Sequence, residues 1–349
     1  MINIEHKLQY PMALILSTNN KKTAEALSKV TGKSGDTTLR ILERKCATWE
    51  ELIAIAIAYF GTDKLYVIFD DSLIEKMFSK FIEASGDNYD SSTGQTYRSL
   101  CTVVGMLSDG KNAIPVIHDL WIKKEVSPED QHKTKVAIAQ ELILKIKEKI
   151  QIKMVIMDGL YATYDMIKWC NANNILFEMR LHSNRKIVVD FDHPDETVKV
   201  NECEQLRLKG KRTCRTVKAM WHGEPIYVTA VKRFRKNDST IVYQVSNANL
   251  SARDHARVYG YRWNIERFFR TAKQHLGLTH CQSRKQILQK NHIYNVFLAY
   301  TILQFERKKY KLKNPEAALH HIKRKRHTPF VMHLARADQI FRDVKVAHA

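Results

Sequence analysis

The chain has 349 residues, 44% hydrophobic and 27% charged, the balance of a folded protein with room for one large domain carrying an insertion, or for two. No apolar run approaches the ~20 residues of a membrane span, and the N-terminus lacks a signal-peptide pattern. The formal net charge of +20 selects a polyanionic partner, nucleic acid first, with ribosomal and membrane surfaces sharing the attraction. Six scattered cysteines without a C-x-x-C pair argue against a zinc module and a disulfide framework, and fit a reducing cytosol.

Residues 1–64 read as helical. Lys22–Val30 and Asp36–Arg44 are two short helices around a Gly32–Gly35 turn, with Ala24, Leu27, Leu39 and Leu42 as candidate core. That outline suits a helix-turn-helix, or equally a plain helical hairpin packed on the main domain. Trp49–Tyr59 makes a third helix. The character changes at Leu65-Tyr-Val-Ile-Phe-Asp70-Asp71, an apolar run ending in carboxylates, as expected of a buried central strand. A helix is expected over Leu73–Phe81 and a polar loop over Ala84–Gln95. Two strands (Thr96–Leu107, Ala113–Trp121) follow, joined by the turn Ser108-Asp-Gly-Lys-Asn112. Lys133–Ile150 has helical spacing, Lys153–Asp158 is again a buried strand ending in a carboxylate, and Tyr164–Asn171 is a helix.

From Ile175 to Asn249 the pattern is strand-like, over Ile175–Leu181, Lys186–Phe191, Thr216–Trp221, Ile226–Phe234 and Thr240–Ser246, with many Lys and Arg between Lys199 and Lys218. His292–Glu306, Pro315–Lys323 and Pro329–Asp343 are expected helices, and His320–His327 is strongly basic. The expected fold class is α/β: a mixed sheet with a β-rich insertion between Asp158 and the helix bearing Glu266, plus an all-helical N-terminal region. The expected divisions fall at 1–64 (helical), 65–181 (mixed sheet with helices), 182–249 (β-rich insertion), 250–283 (the helix bearing Glu266) and 284–349 (helical, basic).

Tyr259-Gly-Tyr-Arg-Trp-Asn-Ile-Glu-Arg-Phe-Phe-Arg-Thr-Ala-Lys273 carries the chemistry. Wound as one α-helix, it places Tyr259, Arg262, Glu266 and Lys273 within an arc of roughly 60°. Ile265, Phe268, Phe269, Ala272 and Leu276 form an apolar stripe beside them. A carboxylate among a phenol, a guanidinium and an ammonium suits a metal-bound phosphate centre. The plainer alternative is a solvated charged face with an Arg262/Glu266 pair worth only ~0.2–0.5 kcal/mol. Strand-terminal Asp70 and Asp158 could likewise be turn or helix caps. The order strand–Asp70, two strands, helix, strand–Asp158, helix, strand, insertion, helix–Glu266 is the connectivity of a ribonuclease H-like fold, whose acids converge at one sheet edge. Such carboxylates suit Mg²⁺, and a pair of ions would serve in-line displacement at phosphorus.

The intervals Tyr259, Arg262, Glu266, Lys273 match the Y-(2)-R-(3)-E-(6)-K signature, and the segment resembles insertion-sequence transposases of the DDE type. Phe69-Asp70-Asp71-Ser72 is similar to that family's first motif, Asp-x-Thr/Ser, which selects Asp70 over Asp71; Ile156-Met-Asp158-Gly-Leu-Tyr161 is similar to its second. The resemblance spans roughly 65–278. It implies Asp70, Asp158 and Glu266 as catalytic metal ligands, Mg²⁺ with Mn²⁺ substituting, and Tyr259, Arg262 and Lys273 holding phosphate. Arg180, Asn184 and Arg185 sit where the family places DNA-backbone contacts, though a solvated basic turn would read alike.

The resemblance further implies cut-and-paste transposition of double-stranded DNA by a homodimer bridging two terminal inverted repeats, with target DNA as second substrate, in the bacterial cytoplasm at the nucleoid. Ser72 replaces the more frequent threonine. Trp221 is the insertion's tryptophan and Trp263 lies on the helix itself, which leaves hairpin formation at the cut end open. A non-catalytic transposase-derived regulator and a metal-dependent nuclease that cuts without joining are the alternatives. Histidines such as His118 and His182 read as structural.

Overall fold

The computed structural model describes residues 7–44, 46–77, 81–127, 132–234, 238–325 and 328–346. Four helices come first: α1 (Gln9–Leu16), α2 (Ala24–Thr31), α3 (Gly35–Arg44) and α4 (Trp49–Phe60). Then follow β1 (Lys64–Glu75), β2 (Gly86–Asp90), β3 (Gln95–Ser108), β4 (Ala113–Trp121), α5 (Lys135–Lys147), β5 (Gln151–Met157), α6 (Tyr164–Ala172) and β6 (Phe177–Leu181). The insertion supplies the short β7 (Lys186–Ile187) and β8 (Val198–Lys199), then β9 (Cys214–Trp221), β10 (Glu224–Phe234) and β11 (Ser239–Ser246). The chain closes with α7 (Ala252–Gly260), α8 (Trp263–His275), α9 (Gln286–Lys309), α10 (Pro315–Lys323) and α11 (Phe330–Val346).

Helix starts are written in the sequence. Thr134, Thr163 and Ser251 each accept a backbone N–H at the head of α5, α6 and α7, and Thr48 makes a full capping box with Glu51. Among the described residues one nine-stranded sheet forms, in the order β2-β3-β1-β5-β6-β11-β10-β9, with β4 on β3. β1–β5 and β5–β6 are parallel and the other pairs antiparallel. The α/β class with a mixed central sheet and helical regions is as expected, and is consistent with a ribonuclease H-like core. The insertion does not form a layer of its own: β11 pairs directly with β6, Tyr243 opposite Leu181, so β9–β11 extend the same sheet.

The boundaries depart from expectation at β1. The helix expected over Leu73–Phe81 is strand as far as Glu75; residues 78–80 lie outside those described. The reason is the long partner: the β1–β3 ladder runs unbroken from Tyr66↔Ser108 to Glu75↔Ser99, and burial alternates over Ser72–Glu75. Non-local pairing overrides a short local preference. Likewise the loop of 84–95 contains β2, and Lys186–Phe191 reduces to two strand residues plus the Val188–Met220 bridge.

The N-terminal helices share a core with the C-terminal ones. Tyr10 and His292 Nδ1 are 3.1 Å apart, and Lys308 Nζ donates to the Tyr59 carbonyl at 2.6 Å. Leu27 and Leu42 are buried as expected, whereas Ala24 is half-buried and Leu39 exposed; Thr38 and Ile41 take the inner face of α3. α1 has Tyr10–Ile15 buried without interruption, so it carries no amphipathic period to read. No helix among the described residues is long and apolar enough to cross a membrane, and all six cysteines are free. Of the basic run 320–327, residues 320–323 end α10 and 326–327 are outside those described.

Gly105 of β3 lies opposite Phe69 of β1, and a Cβ there would meet Phe69 Cζ at 2.8 Å and Ile117 Cγ2 at 2.9 Å. Gly105→Ala is therefore expected to destabilise the fold by about 1–3 kcal/mol through overpacking, read as a lower urea midpoint with an unchanged slope. An unchanged midpoint would show that the Phe69 ring yields freely.

Candidate active site

The cleft begins where a parallel neighbour stops. β5 pairs with β1 only as far as Met157↔Phe69, so Asp70 is the first residue of β1 beyond that ladder and Asp158 the first beyond β5. Ending one strand beside a longer one leaves both carboxylates at an open edge. Asp70 and Asp71 alternate in direction. Asp71 pairs with Lys135 of α5 at 2.6 Å, with Cys101 Sγ at 3.6 Å and Lys135 over the Trp121 ring at 5.1 Å. Asp70 instead faces α8.

The segment Tyr259–Lys273 spans two helices, not one. Tyr261, Arg262, Asn264 and Ile265 each donate their backbone N–H three residues back, to Val258, Tyr259, Tyr261 and Arg262. This is a 3₁₀-type tightening between α7 and α8. On either side the helices are anchored to different partners. His255 of α7 is bonded through Nδ1 to Glu178 Oε2 of β6 at 2.6 Å, both wholly buried. On α8, Ile265, Phe268, Phe269 and Ala272 are buried, as the apolar stripe required, with Phe268 edge-on to Phe297 and Tyr300 of α9.

Between these anchors, Arg262 reaches all three acids. Its Nη1 lies 2.9 Å from Asp70 Oδ2, its Nη2 2.9 Å from Glu266 Oε1, and its Nε 4.0 Å from Asp158 Oδ1. Burial pushes the Asp70 carboxyl up to about 8, against the opposing pull of Arg262; Asp71 and Asp158 raise it further. Tyr259 donates to Asp158 Oδ1 at 3.4 Å, and burial lifts its phenol to about 12. Beneath the acids the Tyr161 hydroxyl is fully buried without a hydrogen-bond partner. Burial raises its pKa, and Asp71 and Asp70 add to the effect.

The structure thus brings Asp70, Asp158, Glu266, Tyr259 and Arg262 together. Lys273 lies farther along α8, half-buried, its ammonium pKa lowered by burial and supported by Asp90 and Glu75 rather than by the three acids. Arg180, exposed on β6 one position past the Met157↔Met179 pair, is close enough to bear on Tyr259. Arg185 is drawn elsewhere, with its guanidinium 5.6 Å from the Trp221 ring centre. His118 is satisfied inside the core by Thr102 and the Lys290 carbonyl.

Sequence reasoning missed three contributors. Arg233 of β10 covers the Tyr259 ring at 5.6 Å, and no local pattern marks it. Tyr161 was quoted only as part of a motif. Glu178, a lone charge in the apolar strand Phe177–Leu181, was a usable signal for the buried pair that fixes α7. As they stand, no three acidic, imidazole or thiol groups among the described residues are arranged to hold one metal ion; the guanidinium lies between the carboxylates.

A family model described as the transposase DDE domain matches residues 89–302. That segment contains Asp158, Tyr259, Arg262, Glu266 and Lys273 and begins after Asp70. Comparison with curated proteins found no match.

Arg262→Ala would leave Asp70, whose side chain is 15% exposed, without its cation. Because the Asp70 carboxyl, already at about 8, can keep a proton, the expected loss at neutral pH is about 1–3 kcal/mol, growing as pH rises through 8, in urea unfolding with chelator present. Asp70→Asn in the same chain should recover most of it. Equal stability of wild type and Arg262→Ala would show that the pair is solvated.

Proposed function

Because the chain belongs to the family of transposases with a DDE domain, we propose that it cuts double-stranded DNA at insertion-sequence ends and joins the freed ends to target DNA. Within that family we assign it to the YREK type, with a ribonuclease H-like core and Asp70, Asp158 and Glu266 as the metal-holding acids. The observation that carries this reading is the convergence of all three carboxylates on one guanidinium.

Transposases of this family generally use divalent metals, and the donor set fits one. It consists of hard carboxylate oxygens already organised around positive charge, and buried Asp70 gains most from a full charge beside it. We take the ion to be Mg²⁺, with Mn²⁺ substituting; when bound it supplies an activated water and charge at the leaving oxygen. With a metal ion held by these acids, the planar fork of Arg262 would be free to meet phosphate oxygens. The Tyr259 hydroxyl, protonated at neutral pH, remains a hydrogen-bond donor at the same place. Arg233 and Arg180 add charge on the Tyr259 side, and Lys273 offers a point charge to the strand leaving the site. Arg185, seated on Trp221, is assigned to flanking DNA. The new 3′-hydroxyl then attacks a target phosphorus in the same cleft, forming a new phosphodiester and breaking the target's P–O3′ bond, whose oxygen leaves as a hydroxyl after taking up a proton, so no protein nucleophile is needed. A homodimer bridging two terminal repeats, with 1–64 as the end-binding region, 65–181 and 250–283 as the core, 182–249 as the insertion and 284–349 as the basic C-terminal region, completes the proposal.

Asp70→Ala, Asp158→Ala and Glu266→Ala are each expected to abolish Mg²⁺-dependent cleavage of labelled end DNA while leaving its binding largely intact. Cleavage by Asp70→Ala would move the ligand to Asp71, and cleavage by Glu266→Ala would sink the site. No cutting by the wild type would favour the regulator, and cutting without joining the nuclease.

Arg262→Ala should also bind Mn²⁺ several-fold more tightly by calorimetry, since the competing cation is gone. Arg262→Ala and Lys273→Ala should each reduce the magnitude of the log K against log salt slope for end DNA by roughly 1. Arg262→Lys should not restore the Arg262 contact fully. Unchanged slopes with normal cleavage and joining would remove the phosphate-holding role.

A further inference from the structure

α8 has a second charged face. Trp263, Arg267 and Arg270 are exposed, and at ~100° per residue Arg270 lies roughly 40° around the axis from Glu266, with Arg267 roughly 60° beyond it. The face therefore continues away from the acids without a break. It opens into two adjoining hollows of about 370 Å³ and 440 Å³. Between them these are lined by Arg267 and Arg270, the β3–β4 turn with Lys111, the last turn of α9 with Arg307, and Lys311 and Lys313 before α10.

The walls are held in place by side chains. Arg307 is fixed between Gln304 Oε1 at 2.9 Å and Asn112 Oδ1 at 2.6 Å. Asn264 Nδ2 of α8 donates to the Gly110 carbonyl at 3.4 Å, and the Tyr261 ring lies so close that a Cβ at Gly110 would meet it at 2.8 Å. Arg307 spends its hydrogen bonds on neutral groups, so its charge is not cancelled. Among the described residues Lys111, Arg267, Arg270, Lys311 and Lys313 form no ion pair. The nearby carboxylates are already engaged: Asp109 by the backbone of its own turn, Glu316 by Thr271 at 2.6 Å.

Six cations on four segments, around an open trough that begins one helical turn from Glu266, match an extended polyanion better than a compact one. We infer that this trough binds the phosphodiester backbone of duplex DNA. Its contacts are distinct from those that Tyr259, Arg262 and Lys273 make at the scissile phosphate. The inference rests on the transposase reading for the identity of the nucleic acid. The duplex is either the continuation of the transposon end or the target, and the chemistry of recognition is shared.

The test uses the full chain with Arg267→Ala, Arg270→Ala and Lys313→Ala combined. The control is Lys145→Ala, Lys147→Ala and Lys149→Ala at the end of α5, on the sheet face that Asp71 rather than Asp70 addresses. Circular dichroism melting confirms folding of both. Binding is measured on end duplex and on unrelated duplex across a salt series, with cleavage and strand transfer scored separately. Loss of three phosphate contacts should lower the magnitude of the salt slope by about 2–3 and the affinity at least ~10-fold at moderate salt, with the control unchanged.

A slope change on end duplex with slower cleavage assigns the trough to the transposon end. A change on unrelated duplex with normal cleavage but reduced strand transfer assigns it to the target. Slopes equal to wild type on both duplexes overturn the inference. Because slopes are read without catalysis, a wild type that binds DNA but never cuts would refute the transposase activity and leave the trough standing.

Discussion

One arginine organises the centre of this molecule. Arg262 is placed by a tightened joint between two helices, and its fork reaches carboxylates from β1, from the end of β5 and from α8 itself. Three acids gathered at one edge repel one another, and Asp70 is buried besides. Without a cation among them that edge is a weak point of the fold. The guanidinium supplies that charge and holds the three carboxylates together at one edge. In the proposed DNA-bound state the same fork would suit phosphate oxygens as it suits carboxylates here.

Everything around it serves to keep that edge open and rigid. β1 outruns β5, which exposes Asp70 and Asp158 together. Phe69 seals the floor against Gly105, and the Glu178–His255 pair ties α7 to β6 while Phe268 ties α8 to α9. The two helices are thus fixed from opposite sides, and their junction absorbs the mismatch by closing hydrogen bonds three residues apart.

Much of this was legible in the chain. Apolar runs ending in carboxylates located β1 and β5, and the stripe Ile265–Phe268–Phe269–Ala272 told which side of α8 is buried. The spacing of Tyr259, Arg262 and Glu266 anticipated that these side chains would lie close together. What local pattern did not carry was whatever depends on distant partners. β1 is long because β3 is long. Arg233 reaches Tyr259 from a strand far away in sequence. α1 is buried all round and offers no period. The break at Tyr261 had one local mark, Gly260 directly before it at the end of α7; the packing of Tyr261 on Gly110 and on the Tyr66 ring had none.

The direct pairing of β11 with β6 has a consequence for how such a chain can vary. The excursion that leaves after Leu181 returns at Tyr243, on the very next strand, locked there by Ser246 donating to the Phe177 carbonyl and by Asn247 across the Ile175–Phe177 backbone. Its two ends meet whatever lies between them, and the entropy of closing a loop rises only slowly with length. Strands can therefore be gained or lost at the outer β9 edge with little strain on the acids. Within the excursion, Arg233 over the Tyr259 ring is a contact that such a change would have to spare if the geometry around Tyr259 is to stay as it is.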